Sequence, residues 1–245
     1  MRGLLQTLAA LLRQPDVTHV AVAVDQAVTD NGEIGAQHGL AADAIRALGL
    51  VIWPMIKRFQ ADDALATGAA RFGREDQVAQ VVICTPDKDL AQCVSGTRVV
   101  LLDRMRQRTT DEAGVLERYG VTPGSIPDFL ALAGDAADGL PGLPGFGPRS
   151  ASVLLRRFER IEAIPAEAKD WEVSVRGAER LARTLRERRK EALLYRELTR
   201  LFLDVPLQES LDDLSWRGPD REALERLCDR IGDRSVLERL PGGRT

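Results

Sequence analysis

Residues 134–150 read Gly134-Asp-Ala-Ala-Asp-Gly-Leu-Pro-Gly-Leu-Pro-Gly-Phe-Gly-Pro-Arg-Ser150. Asp135 and Asp138 stand three residues apart, a spacing that puts both on one face of a helix end. A Gly/Pro-rich hairpin comes next, and Pro148 suits the first turn of a new helix. Five glycines in this span let backbone N–H groups approach a ligand with no Cβ in the way. A helix N-terminus behind such a loop favours an anion, phosphate above all. Acids do not hold phosphate directly, and a divalent metal between them would reconcile the two halves.

Outward from the hairpin, the chain reads helical from Asp111. Pro127 falls in the first turn of a helix ending near Gly134. Helices are predicted over 148–158 and, rich in arginine, over about 176–200. Upstream, short apolar runs alternate with helical patterns. Val20-Ala-Val-Ala-Val24, Leu50–Trp53, Val78–Cys84 and Arg98–Asp103 read as strands. Residues 2–13, 40–48 and 61–72 read as helices, and 26–39 as loop. This alternation, with unbroken apolar runs in the strands, predicts an α/β domain with a buried parallel sheet over about 1–110. The end, Pro241 to Thr245, is expected to fray.

The net charge of −3 excludes a globally basic nucleic-acid binder. The charge is uneven. Residues 149–200 carry 14 Lys/Arg against 9 Asp/Glu, a local +5 that leaves −8 for the rest. An acidic body with a basic segment suits a metal-dependent nuclease, and a solvated, salt-bridged helix gives the same pattern. No run reaches the about 18–20 apolar residues needed to span a bilayer, and no signal peptide is legible. Cys84, Cys93 and Cys228 have no metal spacing, which fits a reduced cytoplasm. His19 and His38 support neither a triad nor a zinc site.

The acids fall where a parallel-sheet protein places ligands, beyond the carboxyl ends of strands. Asp25 ends one strand, Asp87 and Asp89 come after another, and Asp62 and Asp63 open a helix. Clustered carboxylates repel unless cations neutralise them, and two Mg²⁺ or Mn²⁺ ions would do so while clamping a phosphodiester. Each pair also has a plain structural use. Asp62 and Asp63 suit a helix N-terminus, Asp87 a turn after Pro86, and Asp135 and Asp138 a helix end.

In combination these segments resemble the bacterial 5′-3′ exonucleases and flap endonucleases, including the N-terminal nuclease domain of DNA polymerase I. The matching text is Thr18 to Asp25, Ala61-Asp-Asp-Ala-Leu-Ala-Thr67, Thr85-Pro-Asp-Lys-Asp-Leu-Ala-Gln-Cys93 and Gly134 to Ser150, running on to Asp204-Val-Pro-Leu207. The resemblance covers most of the chain. It implies a PIN-like parallel-sheet nuclease domain (1–110), a helix-hairpin-helix region of the three-helix variant (111–207) and a helical extension (208–245). It implies divalent metals, Mg²⁺ or Mn²⁺, held by Asp25, Asp62, Asp63, Asp87, Asp89, Asp135 and Asp138, with Asp62, Asp63, Asp87 and Asp89 catalytic. It implies K⁺ on the main-chain carbonyls of Leu132, Ala133, Pro141, Leu143 and Phe146. The duplex backbone would be gripped by Gly142, Gly145, Phe146, Gly147, Pro148, Arg149 and Ser150. The expected partner is double-stranded or branched DNA in replication and repair, met by a cytoplasmic monomer.

Three departures from the family bear on activity. The family opens on a strand carrying a first catalytic aspartate, whereas Met1-Arg2-Gly3-Leu4-Leu5 matches an interior family helix. That strand is expected to be absent, through a late start or loss of the gene's front. Gln60 stands where the family has glutamate, keeping a carbonyl ligand and losing a charge. Between Arg13 and Arg46 there is no Lys or Arg, where the family carries the cations of a helical arch. Two functions are expected from this pattern: a metal-dependent 5′-3′ exonuclease, or a catalytically weak paralogue that binds branched DNA.

Overall fold

The computed structural model describes residues 1–25, 33–54 and 58–241. Its contacts divide the chain into two units, one of residues 1–65 and 204–245, the other of residues 66–203.

In the first unit, α1 (Arg2–Leu12) precedes β1 (Ala21–Val24), α2 (Glu33–Ala47) and β2 (Val51–Pro54). β1 and β2 pair in parallel, from Ala21 opposite Val51 to Val24 opposite Pro54. α1 presents Leu5, Leu8, Ala9 and Leu12 at helical spacing to a core shared with Ala44, Ile45 and Leu48 of the α2 region. The chain's end closes this core. Trp216 is buried and donates its indole N–H to the Leu48 carbonyl at 2.8 Å. Leu224, Leu227 and Cys228 of the C-terminal helix 221–231 join it. The predicted loop over 26–39 is half corrected. Residues 33–39 are helical, Gly35 and Gly39 being tolerated within α2, and residues 26–32 lie outside the described residues. β1 is half-buried along its length rather than buried. The expectation for the chain's last residues falls on 242–245, which also lie outside the described residues.

The helix α3 (Ala61–Phe72) comes next, as predicted, and runs from the first unit into the second. There β3 (Val81–Ile83) pairs in parallel with β4 (Val99–Asp103). An unpredicted β5 (Arg108–Thr110) adds to β4 antiparallel through a tight turn at 104–107. The helices α4 (Glu112–Tyr119), α5 (Ile126–Ala133), α6 (Pro148–Phe158) and α7 (Ala178–Thr199) complete the second unit, and α8 (Arg221–Ile231) is the C-terminal helix. α5 is buried from Ile126 to Leu132, which seven apolar-dominated residues make favourable, and packs on α6 and α7. Its one buried charge, Asp128, accepts the Ile161 N–H at 2.9 Å and the Arg196 guanidinium at 3.5 Å.

Among the described residues no helix is long and apolar enough to cross a membrane.

Candidate metal centre and nucleic-acid interface

β3 ends at Ile83, and residues 84–87 follow it outside any helix or strand. Two side-chain bonds shape residues 85–89. Thr85 Oγ1 accepts the Asp87 N–H at 3.0 Å, and Asp87 Oδ1 accepts the Asp89 N–H at 2.9 Å. The second is an Asx turn, which leads into the helical segment that follows. Lys88 is in the right-handed helical region, and a short 3₁₀ helix runs from Asp89 to Cys93. The turn brings together what a straight strand would merely align. Carboxylate oxygens of Asp87, Asp89 and Asp138 lie within 4.8 Å of one another, two half-buried and the last exposed. Three oxygen donors at that spacing fit a hard divalent cation.

Asp135 and Asp138 are not on a helix face. α5 stops at Ala133, and Gly134, at φ +83 and ψ 164, breaks it. Asp135 and Leu140 then exchange backbone hydrogen bonds of 2.7 and 2.8 Å around a tight turn that carries Asp138 at its tip. Asp135 is buried. Its Oδ1 accepts the Ala137 N–H at 2.9 Å and pairs with the Lys88 ammonium, and its Oδ2 is buried with no hydrogen-bond partner. Sequence reasoning missed Lys88, although its place between two acids was the available signal.

Asp25, Asp62 and Asp63 belong to the first unit, at the end of β1 and the start of α3. Asp25 Oδ1 accepts the Ala61 N–H at 2.7 Å, and Asp63 Oδ2 accepts the Gln60 N–H at 2.8 Å. The second contact is the reciprocal half of a capping box, and both put negative charge on the helix N-terminus. Gln60 itself is exposed.

Burial pushes the Tyr119 hydroxyl up. The charges of Arg118 and Arg108 oppose that rise, and those of Asp89 and Asp87 add to it.

The hairpin is built by backbone-to-backbone contact. A Cβ on Gly142 would lie 2.5 Å from the Gly134 nitrogen, and one on Gly134 would lie 2.9 Å from the Leu140 oxygen. Gly142 is buried by this packing, so its role is internal and it is withdrawn from the predicted duplex contacts. The carbonyls of Leu132 and Leu143 accept the N–H groups of Leu143 and Phe146, each at 3.0 Å, which leaves one lone pair on each. Gly145, Pro148 and Arg149 are exposed, and Phe146, Gly147 and Ser150 half-buried. Ser150 Oγ accepts the Gly147 N–H at 3.0 Å and fixes the entry to α6.

The arginines of α7 are largely committed within the fold. Arg186 pairs with Glu167, Arg188 with Glu191, and Arg196 with Glu162 and Asp128. Arg189 donates to the carbonyls of Ile161, Glu162 and Ile164.

Parallel strand pairs, an acid cluster past a strand end and a helix-hairpin-helix element define a nuclease-type α/β protein with a helical partner region. Residues 29–120 match the family described as "5′-3′ exonuclease, N-terminal resolvase-like domain", and residues 121–222 match "5′-3′ exonuclease, C-terminal SAM fold". The chain belongs to the 5′-3′ exonuclease family. It is 32% identical to DNA polymerase I of Bacillus caldotenax over 240 residues, 89% of this chain and 26% of that protein. It is 34% identical to the 5′-3′ exonuclease of Aquifex aeolicus over 163 residues, 66% of this chain and 52% of that one. It thus spans about a quarter and about half of these relatives. Among solved structures, a T5 5′-exonuclease variant aligns with TM-score 0.63 at 15% identity, covering 96% of this chain and 86% of that one. The catalytic core of Rad2 in complex with DNA substrate aligns with TM-score 0.62 at 13% identity, covering 97% and 80%. These likenesses establish the fold.

Proposed function

We propose that this chain is a metal-dependent 5′-3′ nuclease that hydrolyses phosphodiester bonds of duplex or flapped DNA. The observation that carries the reading is the convergence of Asp87, Asp89 and Asp138 beyond the end of β3. A divalent ion held there, Mg²⁺ or Mn²⁺, supplies activation of water and neutralisation of phosphodiester charge. Asp87, Asp89 and Asp138 would hold it, and Asp135, paired with Lys88, belongs to the same turn as Asp138. The family resemblance assigns Asp25, Asp62 and Asp63 the same role. The surface of Gly145, Gly147, Pro148, Arg149 and Ser150 grips the duplex backbone without reading bases, and K⁺ on the neighbouring carbonyls strengthens that grip. The protein acts as a soluble monomer.

One set of contacts favours a weaker enzyme. Asp25 and Asp63 are engaged on helix N–H groups, Asp135 on Lys88, and Gln60 replaces a family acid. The second reading is therefore a structure-selective DNA binder with slow cleavage, since losing one preorganised group costs about 10²–10³ in rate.

The test uses a 5′-labelled nicked or flapped duplex with Mg²⁺ or Mn²⁺. Release of short 5′ products by the wild type, falling at least about 100-fold in Asp87→Ala, supports the enzyme. Equal binding by both proteins with no cleavage supports the binder. Failure to bind any duplex at low salt rejects both.

A further inference from the structure

Asp135 is the most enclosed acid of the set, its side chain 1% exposed. An ionised carboxylate so placed needs compensation by a cation and by donors. Both reach the same oxygen. Oδ1 carries the Lys88 ammonium and the Ala137 N–H, while buried Oδ2 has no hydrogen-bond partner. The lysine comes from between Asp87 and Asp89, whose carboxylates lie with that of Asp138 within 4.8 Å. Its backbone sits at φ −82 and ψ −22. At that right-handed helical bend Lys88 departs from strand alternation, which would have sent it to the face opposite its neighbours.

We propose that Lys88 is a tethered cation standing in for part of a divalent ion's charge at Asp135. It holds the acid wall together while no metal is bound, and it competes with metal for that carboxylate. The competition lowers metal affinity and makes occupancy depend on metal concentration. The inference rests on the reading of Asp87, Asp89 and Asp138 as metal-holding residues and on the family resemblance that adds Asp135 to them. Removing a unit positive charge from beside a divalent site should tighten binding by about tenfold or more. Removing it without metal should leave Asp135 as an uncompensated buried charge.

Lys88→Met and Lys88→Arg are compared with the wild type in two assays: Mn²⁺ binding, read from the spin-resonance signal of the free ion, and thermal unfolding in EDTA. Lys88→Met is expected to bind Mn²⁺ about tenfold more tightly, and Lys88→Arg as the wild type does. In EDTA, Lys88→Met should unfold at a lower temperature, and adding Asp135→Asn to it should recover most of the loss. Unchanged or weaker Mn²⁺ binding by Lys88→Met overturns the proposal, as does the absence of recovery by Asp135→Asn. Should Lys88→Met not fold, Asp135→Asn alone and with Lys88→Met carries the comparison. Equal stability in EDTA supports the pairing, and a further loss overturns it. If the wild type and Asp87→Ala alike bind no Mn²⁺, the metal reading fails and this inference falls with it. If the wild type binds, Asp87→Ala does not, and Lys88→Met matches the wild type, only the role of Lys88 fails.

Discussion

Asp128 lies in the first turn of α5 with 2% exposure, beside Arg196, which also pairs with Glu162. Burial raises its pKa above the ordinary 3.8, against the Ile161 N–H and the Arg196 charge, which lower it. Glu162 goes the other way, held down by its hydrogen bond from Arg196. An acid with a raised folded pKa takes its proton first in the folded state. Its burden on stability is therefore absent below 3.8 and grows as pH rises through the folded value. The Glu162 contribution is present above 4.5 and is lost as pH falls through its lowered value. Both signs make Arg196 most important near neutrality. Arg196→Met should lower the unfolding free energy by about 3 kcal/mol at neutral pH, because it leaves Asp128 charged and buried. The deficit should shrink as acid protonates Asp128. Urea unfolding across the acid range measures it, and a deficit independent of pH would refute the assignment. Composition gives no hint of this network, because its partners Asp128, Glu162 and Arg196 lie far apart in the chain and meet only through the packing of α5 and α7.

At the scale of elements, two glycines of one hairpin should behave differently. Gly142 and Gly139 have nearly the same φ, +67 and +70. A Cβ at Gly139 meets open space, whereas one at Gly142 meets the backbone of Ala133 and Gly134 at 2.5–2.8 Å. Gly139→Ala should cost about 1 kcal/mol, the strain of a left-handed alanine. Gly142→Ala should cost about 3 kcal/mol or more, since backbone must move. Equal midpoints in denaturant would contradict the packing. The segment also marks the limits of sequence reading. The helices over 61–72 and 148–158 are legible because apolar spacing and end residues agree there. The placement of Asp135 and Asp138 is not. Their three-residue spacing suits a helix, but the positive φ of Gly134 ends α5 first and converts the spacing into a turn. β5 is unreadable because Arg108–Thr110 is three residues long and its pairing to β4 is set by the turn before it. The three acids that converge past β3 are each legible as acids in the sequence; the pairing of Lys88 with Asp135 is not, because its orientation depends on the backbone bend at Lys88 itself.

For the molecule as a whole, the 14 Lys/Arg of residues 149–200 overstate the charge available to DNA. Arg186, Arg188, Arg189 and Arg196 are tied to carboxylates or carbonyls, as in the salt-bridged alternative to a binding face. Exposed Arg149, in the first turn of α6, remains available to the duplex. A grip made by the hairpin and few cations neutralises few phosphates. The logarithm of affinity for nicked duplex should then fall with the logarithm of salt at a slope of about −2 to −4, at about 0.9 per phosphate neutralised. Arg149→Gln should reduce the slope by about 1 and weaken binding alike for unrelated sequences. Arg189→Gln should leave the slope unchanged and instead lower stability by about 1.5–3 kcal/mol, the worth of hydrogen bonds from a charged group to carbonyls. Fluorescence anisotropy between low and physiological KCl, set beside urea unfolding, separates the two arginines. A slope lost with Arg189 and kept without Arg149 would move the DNA-binding surface from the hairpin to α7.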